Sequence, residues 1–129
     1  MSTETTASVS THILDTSIGR PAEGVAITLS ARSGFDAEWA VLGGSATDAD
    51  GRCKDLPALP EGTTHVRLDF ETEAYFSKKQ AEAQQDAPRV RDSGAFFPEV
   101  AITFAVKPGE HYHVPLLLNP FGYSVYRGS

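Results

Sequence analysis

Strict apolar alternation constrains this chain more than any other feature of its sequence. Val25, Ile27, Leu29 and Ala31 alternate with Ala26, Thr28 and Ser30. Val66, Leu68 and Phe70 alternate with His65, Arg67, Asp69 and Glu71, and Val100, Ile102, Phe104 and Val106 with Ala101, Thr103 and Ala105. Tyr112, Val114, Leu116 and Leu118 alternate with His111, His113, Pro115 and Leu117, and a shorter, weaker run covers Ser10–Asp15. A period of two puts successive side chains on opposite faces of a strand, so each run has one face made for a core and one for solvent or a partner. Gly19-Arg20-Pro21, Asp50-Gly51, Pro60-Glu61-Gly62, Pro108-Gly109 and Asn119-Pro120-Phe121-Gly122 punctuate the runs. Many short strands with turn chemistry between them predict an all-β sandwich or barrel. Asp50-Gly51 suits a tight hairpin with positive φ at both central residues.

One stretch departs from this pattern. Thr72–Gln85 is rich in Ala, Glu, Lys and Gln and free of Gly and Pro, which predicts one short helix with Thr72 as its N-cap. Pro88 closes it, and Arg89–Gly94 reads as an exposed loop. At 129 residues the chain is sized for a single domain that buries roughly 65–70% of its unfolded surface. Residues 1–8 read as a disordered polar tail and 9–129 as the domain. Eleven Lys and Arg against 17 Asp and Glu give a net charge of −6, with no basic cluster to neutralise phosphates, so a nucleic-acid partner is not expected. No apolar run approaches the ~20 residues that span a bilayer, and residues 1–10 lack a basic region followed by an apolar one. The lone Cys53 has no internal partner, so the expectation is a reducing, cytoplasmic setting without membrane attachment.

The reactive groups are few. His111 and His113 are two apart and share the strand face opposite the Tyr112/Val114/Leu116/Leu118 stripe; His12 likewise projects opposite Thr11 and Ile13. Three readings of these outward imidazoles stand side by side. They are solvated surface groups, or three nitrogens of a zinc site with an open water position, or acid–base groups suited to proton transfer near neutrality. Periodicity does not choose among them. Asp48-x-Asp50-Gly51 fails as a calcium loop, because Ala46 and Pro57 stand where its first and last carboxylates belong. Cys53 and His65 read as structural or ordinary, and Trp39, Phe96 and Phe97 as core aromatics.

Thr11–Val25 (THILDTSIGRPAEGV), Thr47–Cys53 (TDADGRC), Phe96–Val106 (FFPEVAITFAV) and His111–Ser129, with its Tyr-Arg-Gly-Ser end, resemble the 5-hydroxyisourate hydrolase branch of the transthyretin-like family. The likeness runs from about Thr11 to Ser129. It implies a transthyretin-like sandwich of two four-stranded antiparallel sheets with one short helix. It also implies a homotetramer, a dimer of dimers, whose active sites line a central channel. Outward histidines then become channel-lining groups once a partner copy covers their face. The implied reaction opens the ring of 5-hydroxyisourate at a carbonyl–nitrogen bond to give 2-oxo-4-hydroxy-4-carboxy-5-ureidoimidazoline in urate catabolism, with no metal or organic cofactor.

Carried over by motif, His113 is the general base and His12 orients or shares its proton. Arg52 holds the purine carbonyls and developing charge, and Tyr126, Arg127, Gly128 and Ser129 shape the pocket, Ser129 through its hydroxyl, its carboxylate or its shape. His111 is either a neighbour in the channel or a participant. The segment Ser77–Gly94 is longer than the family pattern leads one to expect. A carrier that binds a small aromatic ligand without turnover is the competing reading; it has no need of His12, Arg52 and His113 together.

Overall fold

The computed structural model describes residues 6–83 and 95–128. In chain order the elements are β1 (Ser8–Asp15), β2 (Arg20–Pro21), β3 (Ala26–Arg32), β4 (Ala40–Ala46), β5 (Arg52–Cys53), β6 (His65–Phe70), α1 (Thr72–Ala83), β7 (Val100–Ala105), β8 (His111–Asn119) and β9 (Gly122–Val125). One sheet runs β2-β1-β8-β9 with β5 also on β1, and the other runs β4-β3-β6-β7. The expected all-β sandwich with one helix is thus present, with two differences. The first sheet has five strands, because β5 pairs with Thr11 and His12 of β1 while β2 pairs with Leu14 and Asp15. The sheet is also not wholly antiparallel: β1 and β8 run parallel over eight residue pairs, from Ser8↔His111 to Asp15↔Leu118.

The alternating stripes form the core between the sheets. Ile27, Leu29, Val66, Leu68, Phe70 and Val100 from one sheet, and Ile13, Tyr112, Val114, Leu116 and Leu118 from the other, are all buried. Burying each large apolar side chain contributes roughly 1.5–3 kcal/mol. The Ser10–Asp15 run, weak in the sequence, is the inner part of a full central strand whose core face carries two polar groups. Thr11 Oγ1 donates to the Val114 carbonyl at 2.5 Å. The Asp15 carboxylate accepts from the Tyr75 hydroxyl at 2.7 Å and from the Ser17 amide and hydroxyl, which ties α1 to β1. That contact and burial push the Tyr75 phenol far above its ordinary range, burial being the larger cause. β1 opens at Ser8 and Ala7 is buried, inside the stretch expected as tail; residues 1–5 lie outside the described ones.

The helix forms where its composition predicts it and is described to Ala83; the Pro88 stop and the Arg89–Gly94 loop lie outside the described residues. Thr72, expected as its N-cap, is already its first residue, and the start is anchored from elsewhere in the chain. The Thr72 hydroxyl donates to the Phe97 carbonyl at 2.5 Å and the Glu73 amide to the Pro98 carbonyl at 2.9 Å. Asp50-Gly51 makes a turn but not the expected hairpin. Gly51 alone has positive φ (75°), and the flanking strands β4 and β5 belong to different sheets, so the turn carries the chain across the sandwich. The expected core aromatics lie outside it. Trp39 sits under the Arg32 and Arg67 guanidiniums at 4.4 and 4.9 Å from its centroid. Phe96 and Phe97 are exposed and meet edge-on, and Phe97 meets Tyr123 in the same way.

Candidate active site

The parallel β1–β8 ladder builds the site. In register, Ser8 faces His111, Ser10 faces His113 and His12 faces Pro115. Side chains of paired residues in neighbouring strands point the same way, so Ser8, Ser10, His12, His111 and His113 share the outer face of the five-stranded sheet. The antiparallel pairing of β5 sets Arg52 opposite His12 on the other edge of β1. Asp48 organises the turn that presents this arginine: its Oδ1 accepts from the Asp50 and Arg52 amides at 2.9 and 3.0 Å. The Arg52 amide bond, first among its influences, holds the Asp48 carboxyl below its ordinary range. Cys53, next in the chain, turns inward, and burial raises its thiol pKa, so its structural reading fits.

The His12 and His113 rings stand with centroids 6.5 Å apart, inclined at 31°. Partial burial, then the charges of His12, Arg52 and His111, hold the His113 pKa below 6.5. Neutral imidazole is the form that accepts a proton, so these surroundings favour a base. Ser10 Oγ lies 2.9 Å from His113 Nδ1 and 2.9 Å from His111 Nε2, and Ser8 Oγ lies 2.7 Å from His111 Nδ1. The zinc arrangement weighed from spacing does not form: among the described residues no three His, Cys, Asp or Glu side chains converge on a metal position, and the His111 and His113 rings are spaced by a hydroxyl.

The end of the chain returns to this face. The Gly128 amide donates to the His113 carbonyl at 2.7 Å, in an antiparallel bridge. A Cβ on Gly128 would stand 2.9 Å from His113 Cδ2 and 3.1 Å from Pro115 Cγ, so only glycine lets the chain lie beside the imidazole without displacing it. Pro115 offers no N–H, and regular β9 pairing lapses beside it before the bridge at Gly128.

His12, Arg52, His113 and Gly128 are therefore brought together. Tyr126 and Arg127 are placed differently. Both line an apolar cavity of about 240 Å³ with Ile102, Phe104, Tyr112 and Val114. The register that pairs Leu116 with Val125 and His113 with Gly128 sets Arg127 opposite Val114 on the core face of β8 and Tyr126 opposite Pro115 at its outer edge. The Arg127 guanidinium lies 4.6 Å from the Tyr112 ring centroid and 3.3 Å from Glu110 Oε1. Ser129 lies outside the described residues. Ser8 and Ser10 are absent from the expected set, although their spacing from His12 puts both on its face.

The described HIUase/Transthyretin family model matches residues 9–128. The chain belongs to this family. It is 41% identical over 123 residues to a 5-hydroxyisourate hydrolase of Salmonella dublin, covering 94% of this chain and 80% of that one. Among solved structures it resembles the Klebsiella pneumoniae 5-hydroxyisourate hydrolase, with a TM-score of 0.70 and 35% identity over 95% of this chain and 99% of that one. It also resembles (S)-allantoin synthase, with a TM-score of 0.76 and 31% identity; the match covers 98% of this chain but 45% of the synthase. The family's name spans hydrolases and transthyretins, so membership alone leaves the enzyme and carrier readings to be separated by the site.

Proposed function

We propose that the outer β1/β8 face hydrolyses 5-hydroxyisourate, an early intermediate of urate catabolism. The observation that carries this reading is the meeting of a neutral-leaning His113 with His12 and Arg52 on one face. A carrier has no use for a base beside a fixed cation. His113 takes a proton from water, and the oxygen attacks the ring carbonyl. Arg52, with a donor fork that stays charged, stabilises the negative charge that develops on the carbonyl oxygen. The carbon–nitrogen bond breaks and the proton passes from the imidazolium to the departing nitrogen, leaving 2-oxo-4-hydroxy-4-carboxy-5-ureidoimidazoline. His12 orients the water or shares its proton.

The working form is assigned as a homotetramer, with copies covering this face to make a channel. Tyr126, Arg127 and Ser129 are assigned to closing the pocket, which requires Arg127 to exchange Glu110 for substrate. A single buried thiol suits a reducing cytoplasm, and among the described residues no helix is long and apolar enough to cross a membrane. The test is to generate 5-hydroxyisourate in situ with urate oxidase and follow its ultraviolet decay. Decay faster than the spontaneous rate is expected with the purified protein, and an unchanged rate would leave the carrier reading ahead.

A further inference from the structure

Four side chains on the outer face make one continuous hydrogen-bonded line, Ser8–His111–Ser10–His113, with successive separations of 2.7, 2.9 and 2.9 Å. The line follows from the parallel register, which sets each serine directly opposite a histidine. Ser10 is buried beneath the two rings it joins. Its hydroxyl has one proton to donate and lone pairs to accept with, so it can donate to one imidazole and accept from the other. The two ends are thereby linked: the tautomer of His111 dictates that of His113.

We propose that this line fixes which ring nitrogen of His113 is basic, with Ser10 as a positioning residue and His111 as its anchor. The assignment rests on His113 being the base. In one polarity His111 Nδ1–H donates to Ser8, the Ser10 hydroxyl donates to His111 Nε2, and His113 Nδ1–H donates to Ser10. His113 Nε2 then carries a free lone pair, ready to take a proton from water. In the reverse polarity the Ser10 hydroxyl donates to His113 Nδ1, the proton sits on Nε2, and that nitrogen cannot act as a base.

The first polarity also survives the reaction. When His113 Nε2 gains its proton, Nδ1–H remains a donor to Ser10, and that bond strengthens because its donor is now charged. The reverse polarity would have to break. A neutral hydroxyl thus does here what an orienting carboxylate does in other acid–base pairs, and it does so without adding a negative charge beside the imidazole that would raise its basicity. His111, undecided from the sequence between bystander and participant, becomes the group that holds Ser10 in its donating sense.

Tautomers are read without substrate from long-range proton–nitrogen correlation spectra of the protein labelled with ¹⁵N-histidine, at a pH where His113 is neutral. The wild type is expected to show His113 protonated at Nδ1. Ser10→Ala is expected to move the proton population toward Nε2 and to lower kcat about tenfold or more with KM nearly unchanged, short of the 10²–10⁴-fold cost of losing the base itself. Ser10→Thr, which keeps the hydroxyl, restores both tautomer and turnover, and His111→Phe weakens both in the direction of Ser10→Ala. A wild-type His113 protonated at Nε2, or a tautomer unmoved by Ser10→Ala, would overturn the proposal. A tautomer shift in a protein that does not accelerate 5-hydroxyisourate decay would leave the line intact and remove the substrate assignment.

Discussion

On the outer face of the four-stranded sheet, Arg67 pairs with Asp69 at 3.1 Å, and Arg67 and Arg32 both lie against the Trp39 ring. On the outer face of the five-stranded sheet, His12 and His113 stand beside Arg52, and the partners of His111 and His113 are hydroxyls. Both faces point away from the same core and both carry cations. On the first, a carboxylate pairs with Arg67 and an indole lies against both guanidiniums, although Arg32 Nε stays buried without a hydrogen-bond partner among the described residues. On the second, the partners of His111 and His113 are neutral hydroxyls, and the Arg52 guanidinium beside His12 is set to meet an electron-rich substrate. Composition does not separate the two faces; the sign and charge of the immediate partners do.

This contrast breaks first at His113. His113→Ala is expected to lower kcat for 5-hydroxyisourate by 10²–10⁴-fold, whereas Arg67→Ala on the other face leaves turnover unchanged. Equal losses in the two variants would erase the distinction between the faces. Gly128→Ala comes next. Its new Cβ, placed 2.9 Å from His113 Cδ2, forces the ring or the chain to move, and misplacement by about 1 Å costs on the order of 10² in rate. Steady-state kinetics should show that loss with the urea midpoint nearly unchanged.

Two smaller effects sharpen the structural side. Tyr75→Phe removes the hydroxyl that satisfies the buried Asp15 carboxylate. It should cost about 1–3 kcal/mol in urea unfolding, with turnover intact in the folded fraction. Trp39→Ala loses two cation–π contacts, worth about 1–2 kcal/mol together, and should leave activity untouched. A fall in kcat with Trp39→Ala would show that the two faces communicate.

The sequence reveals faces better than it reveals neighbours. The buried stripes of β3, β6, β7 and β8 and the outward setting of His12, His111 and His113 follow from alternation alone, because a period of two is a local property. Which strands lie side by side is not local. Ser10 and His113 are 103 residues apart, and their contact depends on a parallel pairing that no turn between them encodes. The contact of Ser10 with both imidazoles is hidden for that reason, although its spacing from His12 puts it on the same face. Asp50-Gly51 shows the same limit: the turn is written in two residues, but its destination in the other sheet is not. Trp39, Phe96 and Phe97 show a different one. Aromatic area favours burial, yet guanidinium stacking holds Trp39 on the surface and edge-on pairing accounts for the two phenylalanines. The setting of Arg127 against Glu110 and the Tyr112 ring is a tertiary outcome rather than a motif.

The central claim is that His113 works as a neutral base held that way by its surroundings, and the pH dependence of kcat/KM tests it most directly. Partial burial, then the neighbouring His12, Arg52 and His111, lower its pKa from the ordinary value, so the protein keeps the competent form to lower pH than an ordinary histidine would. Between that lowered pKa and 6.5 the unfolded chain binds more protons than the folded one, so this group's contribution to stability also declines as pH falls through that window. The account predicts an acid limb of kcat/KM centred below pH 6.5 that disappears with the residual rate of His113→Ala. An acid limb at or above 6.5, or one that persists in His113→Ala, would contradict it.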